Sequence, residues 1–303
     1  MKPSRKVRLV VLGSSNTDLV VKCSRLPRAG ETIGGGEFAQ HAGGKGANQA
    51  VAATRAGAEV VFIGRHGRDE FGRVAKEGLQ GEGIDVKHFV ETEAAPSGVA
   101  LIFVGGRSSE NMIAVARSAN DLVAAEDVLA AEWEIARADA VVAQLEVPLP
   151  AIEAAASRAR RHGVPFILNP APARKLPVRL LRLVDTLTPN EHEAEFLTGE
   201  KKPEDAAAVL LRRGCRRVVI TLGAKGVLLC DEHGPEYIEA PRVSAVDTVG
   251  AGDCLTAWVA VGLAEGLDLA IATWQAVHAA ARAVTREGAQ AGMPLRSEVE
   301  LIP

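Results

Sequence analysis

Residues 7–18 read Val7-Arg8-Leu9-Val10-Val11-Leu12-Gly13-Ser14-Ser15-Asn16-Thr17-Asp18. A short β-branched run that breaks off in a glycine and a polar cluster is what a strand looks like when both faces are buried and its carboxyl end meets a ligand. Working outward, runs of the same kind recur at residues 60–63, 140–145, 165–168, 186–188 and 218–221. Helical periodicity fills residues 47–56, 70–82, 150–161, 191–197, 205–213, 254–265 and 269–286. This alternation predicts an α/β fold of βαβ units, with a mostly parallel central sheet and helices on both faces. Two stretches break the rhythm. Residues 19–40 are strand-like but rich in Gly and Pro, and residues 98–104 with 111–116 read as an antiparallel hairpin around Gly105-Gly106. They fit a small accessory sheet covering a site, and equally fit ordinary surface hairpins. No repeat and no long polar linker interrupts the chain, so one domain spanning residues 1–303 is expected.

Composition narrows the function classes. The 303 residues are 47% hydrophobic and 24% charged, ordinary for a globular protein and long enough for a sizeable core. A net charge of −3, a pI near 6.2 and no Lys/Arg cluster interleaved with aromatics argue against a nucleic-acid partner. The basic residues of segment 2–8 precede an apolar run too short for a signal-peptide core, and no run reaches the length of a membrane span. No membrane partner is expected. Cys23, Cys215, Cys230 and Cys254 are far apart without a Cys-x-x-Cys pair, which argues against zinc and disulfides and for the reducing cytoplasm.

Most polar clusters fall where a parallel strand ends. Asn16 and Asp18, two apart in an extended segment, point the same way and offer an amide and a carboxylate to vicinal hydroxyls; the plainer reading is an Asx turn. Gly43-Gly44-Lys45-Gly46-Ala47-Asn48 opens a helix of small residues. Gly46 stands where a Walker loop needs Ser or Thr, so what remains is a close-packed helix start presenting Lys45 and Asn48 to a small ligand. Gln144-Leu145-Glu146 puts a carboxylate at a strand end. In Thr188-Pro189-Asn190-Glu191-His192-Glu193, the Asn190/Glu193 pair suits both a capping box and a hydrated Mg²⁺. Thr221-Leu222-Gly223-Ala224-Lys225-Gly226 reads as a hairpin turn or as a backbone shelf for a nucleotide.

Last comes Val246-Asp247-Thr248-Val249-Gly250-Ala251-Gly252-Asp253, opening a long apolar helix. Its glycines let the backbone approach an anion, and its N–H groups are helix-start donors aided by the helix dipole. Taken alone, Asp253 reads first as a helix cap. A carboxylate repels a resting phosphate, however, and makes chemical sense there as a base for a hydroxyl attacking a phosphoryl group. The same dipole is expected to weaken it as a base.

In this order, the clusters resemble the ribokinase (PfkB-type) family of carbohydrate and nucleoside kinases. The resemblance runs through residues 13–18, 43–48, 98–104, 144–146, 169–173, 188–193, 221–226, 246–253 and 284–290. It implies a three-layer α/β/α domain with a mostly parallel central sheet and a small β-sheet lid, at about 17–42 and 97–118, serving as a homodimer clasp. The implied reaction is ATP-dependent phosphorylation of the primary hydroxyl of a sugar, ribose first, with Asp253 as base and the Gly250, Ala251 and Gly252 amides as anion hole. By position, Asn16, Asp18, Gly44, Lys45, Asn48 and Glu146 hold the sugar. Asn190, Thr221, Gly223, Ala224, Lys225, Gly226, Gly252 and His278 meet ATP, and Glu193 acts on Mg²⁺ through water. Asp247 and Val249, with Ala283, Arg286, Gly288 and Gly292, bind a monovalent cation such as K⁺. The sequence departs from the family at Cys254-Leu255, where Thr-Phe is usual, and at Gly292, where a small hydroxyl residue is frequent. Lys45 and Glu146 favour a free pentose with many hydroxyls, and 4% aromatics leave no obvious base slot for a nucleoside; a related kinase acting on fructose, 2-deoxyribose or a nucleoside is the alternative. A relative that binds sugar or nucleotide without catalysis is the remaining alternative.

Overall fold

Leu9 and Val11 of strand β1 (Arg8–Leu12) pack into one hydrophobic cluster, and Val10 and Leu12 into another, all at 0% exposure. Period-two alternation with no polar face requires cover on both sides of the strand. In the computed structural model, which describes residues 5–106 and 110–299, helices supply that cover. Residues 107–109 of the expected second lid segment, and both ends of the expected 1–303 domain, lie outside the described residues.

The remaining strands are β2 (Asn16–Cys23), β3 (Glu37–Gly43), β4 (Glu59–Gly67), β5 (Asp85–Thr92), β6 (Gly98–Gly105) and β7 (Glu110–Ala116). After them come β8 (Ala140–Ala143), β9 (Phe166–Leu168), β10 (Thr186–Leu187), β11 (Arg217–Thr221), β12 (Val227–Asp231) and β13 (Gly234–Ile238). The large sheet has nine strands in the order β13-β12-β11-β10-β9-β8-β1-β4-β5. It is parallel from β5 to β11, and β12 and β13 add an antiparallel edge. One face is covered by helices Lys45–Arg55, Ala251–Ala264 and Leu269–Ala283. The other is covered mainly by Leu149–His162, Glu191–Thr198 and Pro203–Arg212. The result is the expected three-layer α/β/α arrangement with a mostly parallel sheet.

The two irregular stretches are not separate surface hairpins. They form one four-stranded sheet, β3-β2-β6-β7, in which β2 runs antiparallel to β3 and parallel to β6. Phe38, Leu101 and Met112 are exposed on one face of this small sheet, and Ile113 and Val115 on the other. Elsewhere the chain departs from expectation in several places, the short helices Ala125–Ala130, Glu132–Ala136, Val178–Leu181 and Ala289–Gly292 among them. Strand β5 was hidden because its charges alternate with Val86 and Phe89 at a sheet edge. The β12–β13 hairpin follows a turn that reads in sequence as a hairpin turn or as a backbone shelf for a nucleotide. The helix expected over 269–286 ends at Ala283, where Thr285 and Arg286 N–H groups bond back to Arg282 and Ala283, a 3₁₀-like tightening. The Val284 carbonyl accepts instead from Val246 and Asp247.

Helix Ala251–Ala264 is buried on every side from Asp253 to Gly262, lodged between its two neighbours on that face. Cys254 and Leu255, the departures from the family pattern, are 0% and 4% exposed and pack as core residues. Helix Lys45–Arg55 reaches the site through a close backbone approach. A Cβ on Gly46 would lie 2.6 Å from the Gly13 backbone, and one on Gly13 would lie 2.7 Å from Gly46 Cα. Both obstacles are main chain and have little freedom to yield. Gly46→Ala is therefore expected to destabilise by about 1–3 kcal/mol, read as a lower urea midpoint at unchanged m-value. An unchanged midpoint would show that this contact is not tight.

Candidate active site

The site is assembled at the carboxyl ends of β1, β8, β10 and β11, where the helix starts converge on the base of the small sheet. At its floor lies Asp253, 5% exposed, in the first turn of helix Ala251–Ala264. Each of its oxygens accepts an amide hydrogen bond. Asn48 Nδ2 donates to Oδ2 at 3.0 Å, and Gln49 Nε2 donates to Oδ1 at 2.9 Å. No side chain caps this helix start. Gly250, at φ 81°, makes the turn into it. The Ala251 N–H turns back to the Thr248 carbonyl at 3.3 Å, which removes one of the three amides expected in the anion hole. A Cβ on Gly252 would meet nothing within 4 Å, so the space beside its amide is open.

Glu146 faces the start of helix Lys45–Arg55. Its Oε2 accepts from Ser14 Oγ at 2.5 Å and from the Lys45 N–H at 3.0 Å. Gly44 turns the chain here at φ 88°, and a Cβ on it would lie 2.7 Å from the Asn16 nitrogen. Asn16 and Asp18 lie on β2 as expected, with Asp18 packed so closely on Gly43 that a Cβ there would sit 2.3 Å from its carboxylate. Asn16, Asp18, Gly44, Lys45, Asn48, Glu146 and Asp253 are thus gathered around one cleft.

Sequence reading missed two residues. Asn120, 1% exposed, accepts from Ser15 N at 3.0 Å and donates to Ser15 O at 3.1 Å and to Asn16 Oδ1 at 2.8 Å. The Ser15 backbone sets which way round the Asn120 amide sits. Asn120 in turn sets Asn16, leaving the Asn16 NH₂ to donate elsewhere. Its partner is 104 residues away, and no local pattern marks it. Gln49 sat beside a candidate residue, and the step from Asn48 to its neighbour on a helix of small residues gave no sign of a shared target.

The cleft carries more acid than base. Lys45 is raised above its ordinary value chiefly by the Asp253 carboxylate, with Glu146 and Glu193 contributing and burial opposing. Burial is the largest influence on Asp253 and pushes it up, against Lys45, Asn48 and Gln49. This reverses the expectation drawn from the helix dipole. Burial also raises Glu193, against the Asn190 N–H and Lys45. Asp18 is raised from 3.8 to about 7 by burial, then by Glu146 and Asp253.

The nucleotide-side candidates fall into two groups. Asn190 and Glu193 form the expected capping box, with Asn190 N donating to Glu193 Oε2 at 2.9 Å and Glu193 N to Asn190 Oδ1 at 2.7 Å. Asn190 also bridges Thr221, whose strand leads into the exposed turn Gly223–Lys225 between β11 and β12. That turn is therefore a hairpin turn with an open backbone edge, and Gly226 closes it at φ 104°. His278 is on helix Leu269–Ala283, its Nδ1–H donating to Trp274 O at 2.9 Å and its ring centroid 3.7 Å from that of Trp274.

The expected cation residues also meet. Gly288 N donates to Asp247 Oδ2 at 2.9 Å and Val249 N to Asp247 Oδ1 at 3.0 Å. A Cβ on Gly292 would sit 3.0 Å from the Ala283 carbonyl and 3.6 Å from that of Arg286. The Arg286 side chain is taken by Glu298, so only its carbonyl is available to this cradle. Among the described residues no group of three or more His, Cys, Asp or Glu side chains is placed to hold a metal.

A buried carboxylate at an uncapped helix start, beside hydroxyl-binding groups, belongs to an enzyme that moves a phosphoryl group onto an alcohol. The chain belongs to the pfkB family of carbohydrate kinases, whose model matches residues 6–296. It is 43% identical to a ribokinase of Haemophilus influenzae over 297 residues, covering 96% of each chain. It is 35% identical to a deoxyribokinase of Salmonella typhi, covering 94% of this chain and 95% of that one. Among solved structures it is similar to Arabidopsis thaliana ribokinase complexed with ribose and ATP, at a TM-score of 0.88 and 32% identity over 96% of this chain and 97% of that one. Among the described residues no helix is long and apolar enough to cross a membrane.

Asp18 gives the site a pH signature. Above about pH 4 the unfolded chain ionises this group, whereas the folded chain keeps its proton up to about pH 7. The folded state then binds more protons, so this group's contribution to stability falls as pH rises between those values and stays low above them. Asp18→Asn is expected to raise the melting temperature at pH 8 and to change it far less at pH 4. Equal shifts at both pH values would contradict this reading.

Proposed function

We propose that this chain transfers the γ-phosphoryl group of ATP to the primary 5-hydroxyl of D-ribose. The observation that carries this reading is the buried Asp253 carboxylate at the open N-terminus of helix Ala251–Ala264, facing the cleft that Asn16, Asp18, Lys45 and Glu146 line. In this reading Asp18, Glu146 and the Asn48 oxygen accept from sugar hydroxyls, and Lys45 and the Asn16 amide donate to them. The Asn48 Oδ1 is buried without a partner, which suits such a contact. Asp253 takes the proton of the 5-hydroxyl as its oxygen attacks the γ-phosphorus. The Gly250 and Gly252 amides stabilise the equatorial oxygens of the group in transit.

Asn190, Thr221, the turn through Gly223, Ala224, Lys225 and Gly226, and His278 are the proposed nucleotide contacts. A cleft holding Asp18, Glu146, Glu193 and Asp253 against Lys45 opposes a bare polyphosphate, which supports binding of ATP as its magnesium complex near Glu193. Bound Mg²⁺ neutralises charge on the leaving diphosphate. The Ala283 and Arg286 carbonyls, with Asp247, Val249, Gly288 and Gly292, suit a weakly hydrated monovalent cation such as K⁺. We assign the chain to one catalytic domain, with the small sheet as a lid over the sugar. Phe38, Leu101 and Met112, exposed together on one face of that sheet, suit a homodimer clasp. Four free thiols fit the cytoplasm.

The test is a coupled ADP-release assay on ribose, 2-deoxyribose, fructose and adenosine, with and without K⁺. Ribose is expected to give the highest kcat/KM, and K⁺ to raise it. The deoxyribokinase relative makes 2-deoxyribose the competing substrate, and activity on adenosine alone would overturn the assignment. Asp253→Asn is expected to cut turnover by at least ~10²-fold while ATP still binds, measured by steady-state kinetics beside calorimetry. Near-normal turnover in that variant would sink the role of Asp253.

A further inference from the structure

Behind Asp253 lie two fully buried amides that this mechanism does not use. Gln49 and Gln144 are both 0% exposed. Gln144 Nε2 donates to Gln49 Oε1 at 2.6 Å, which commits the Gln49 oxygen and turns its NH₂ the other way. That NH₂ reaches Asp253 Oδ1 at 2.9 Å and Asn169 Oδ1 at 3.3 Å. Gly13 makes room for the pair, because a Cβ there would lie 2.0 Å from Gln144 Oε1. A flipped Gln49 would set its amide oxygen against the Asp253 carboxylate and its NH₂ against that of Gln144.

We propose that Gln49, locked by Gln144, is a positioning residue that presents Asp253 to the attacking hydroxyl and keeps it a proton acceptor. The inference rests on the reading of Asp253 as the base. The groups facing Asp253 are Lys45 and Asn48 on the helix of Gln49, Glu146 after β8, Asp18 on β2 and Glu193 at the start of its own helix. Among the described residues, only Gln49 and Asn48 donate side-chain hydrogen bonds to it. Loss of the Gln49 donor disfavours the ionised carboxylate, so Asp253 holds its proton to higher pH. The base works ionised, so the acid limb of the chemical step must move up with it.

The experiment is rapid-quench, single-turnover ADP formation with saturating ribose and Mg-ATP across pH 5–9, for the parent, Gln49→Met and Gln49→Glu. Thermal melting with ribose alone is run beside it. For Gln49→Met the acid limb is expected to rise by about one pH unit, with ribose-induced stabilisation retained. Gln49→Glu, which sets a second carboxylate against the first, is expected to move the limb further. Superimposable limbs in folded variants would overturn the proposal. Should Gln49→Met melt, the isosteric Gln49→Glu carries the same test, and an unmoved limb there overturns it equally. A parent whose rate survives Asp253→Asn removes the base itself. An unmoved limb in an enzyme that needs Asp253 removes only the role of Gln49.

Discussion

Everything polar in this site depends on the approach of two backbones at Gly13 and Gly46. The end of β1 and the start of helix Lys45–Arg55 come within a distance that no side chain allows. The Ala47 N–H then bonds to the Ser14 carbonyl at 2.9 Å, and the Lys45 N–H reaches Glu146. That contact sets the height of the helix above the sheet. Lys45, Asn48 and Gln49 therefore meet Asp253, whose own helix packs alongside. Small residues continue the pattern, since Ala47, Ala50, Val51 and Ala53 are all buried and keep the two helices close.

Electrostatics explains why such a site needs a rigid frame. Several carboxylates share one cleft with a single ammonium group, and burial pushes Asp18, Glu193 and Asp253 up from their ordinary values. An arrangement of this kind costs stability in the resting protein. It is tolerated because backbone and amide donors fix each acid, and because a polyhydroxylated ligand supplies the donors that these groups lack. The expectation that the helix dipole would govern Asp253 failed for the same reason. A dipole acts over the first turn, whereas near-complete burial removes water from the charge itself.

The layers of the fold were legible because they rest on local chemistry. Leu9 to Leu12 could be nothing but a strand covered twice, and the glycine clusters mark strand ends wherever they occur. The capping box of Asn190 and Glu193 was equally local, three residues apart. What stayed hidden was set by distant partners. Asn120 acts on Asn16 at the start of β2 from the turn after β7, and the end of helix Leu269–Ala283 is fixed by amides at Val246 and Asp247 that no helix pattern contains. Gln49 and Gln144 form the same kind of pair, and polar residues fully buried in a sheet-facing helix announce nothing in sequence. The β12–β13 edge was missed because a hairpin turn and a nucleotide-binding shelf share their residues.

The pairing of the small sheet has a mechanical consequence. Gly43, Asn16 and Gly98 lie side by side in register, with Ala116 opposite Val99, so the four strands leave the body along one line. A plate fastened at four points along one edge bends about that edge and resists twisting. Were the sheet to swing as the lid proposed above, the far ends of β2 and β6 would sweep a wide arc while Asn16 and Gly43 hardly travelled. Asn16 and Gly44 would thus lie at the pivot of such a lid, and their spacing would survive its stroke.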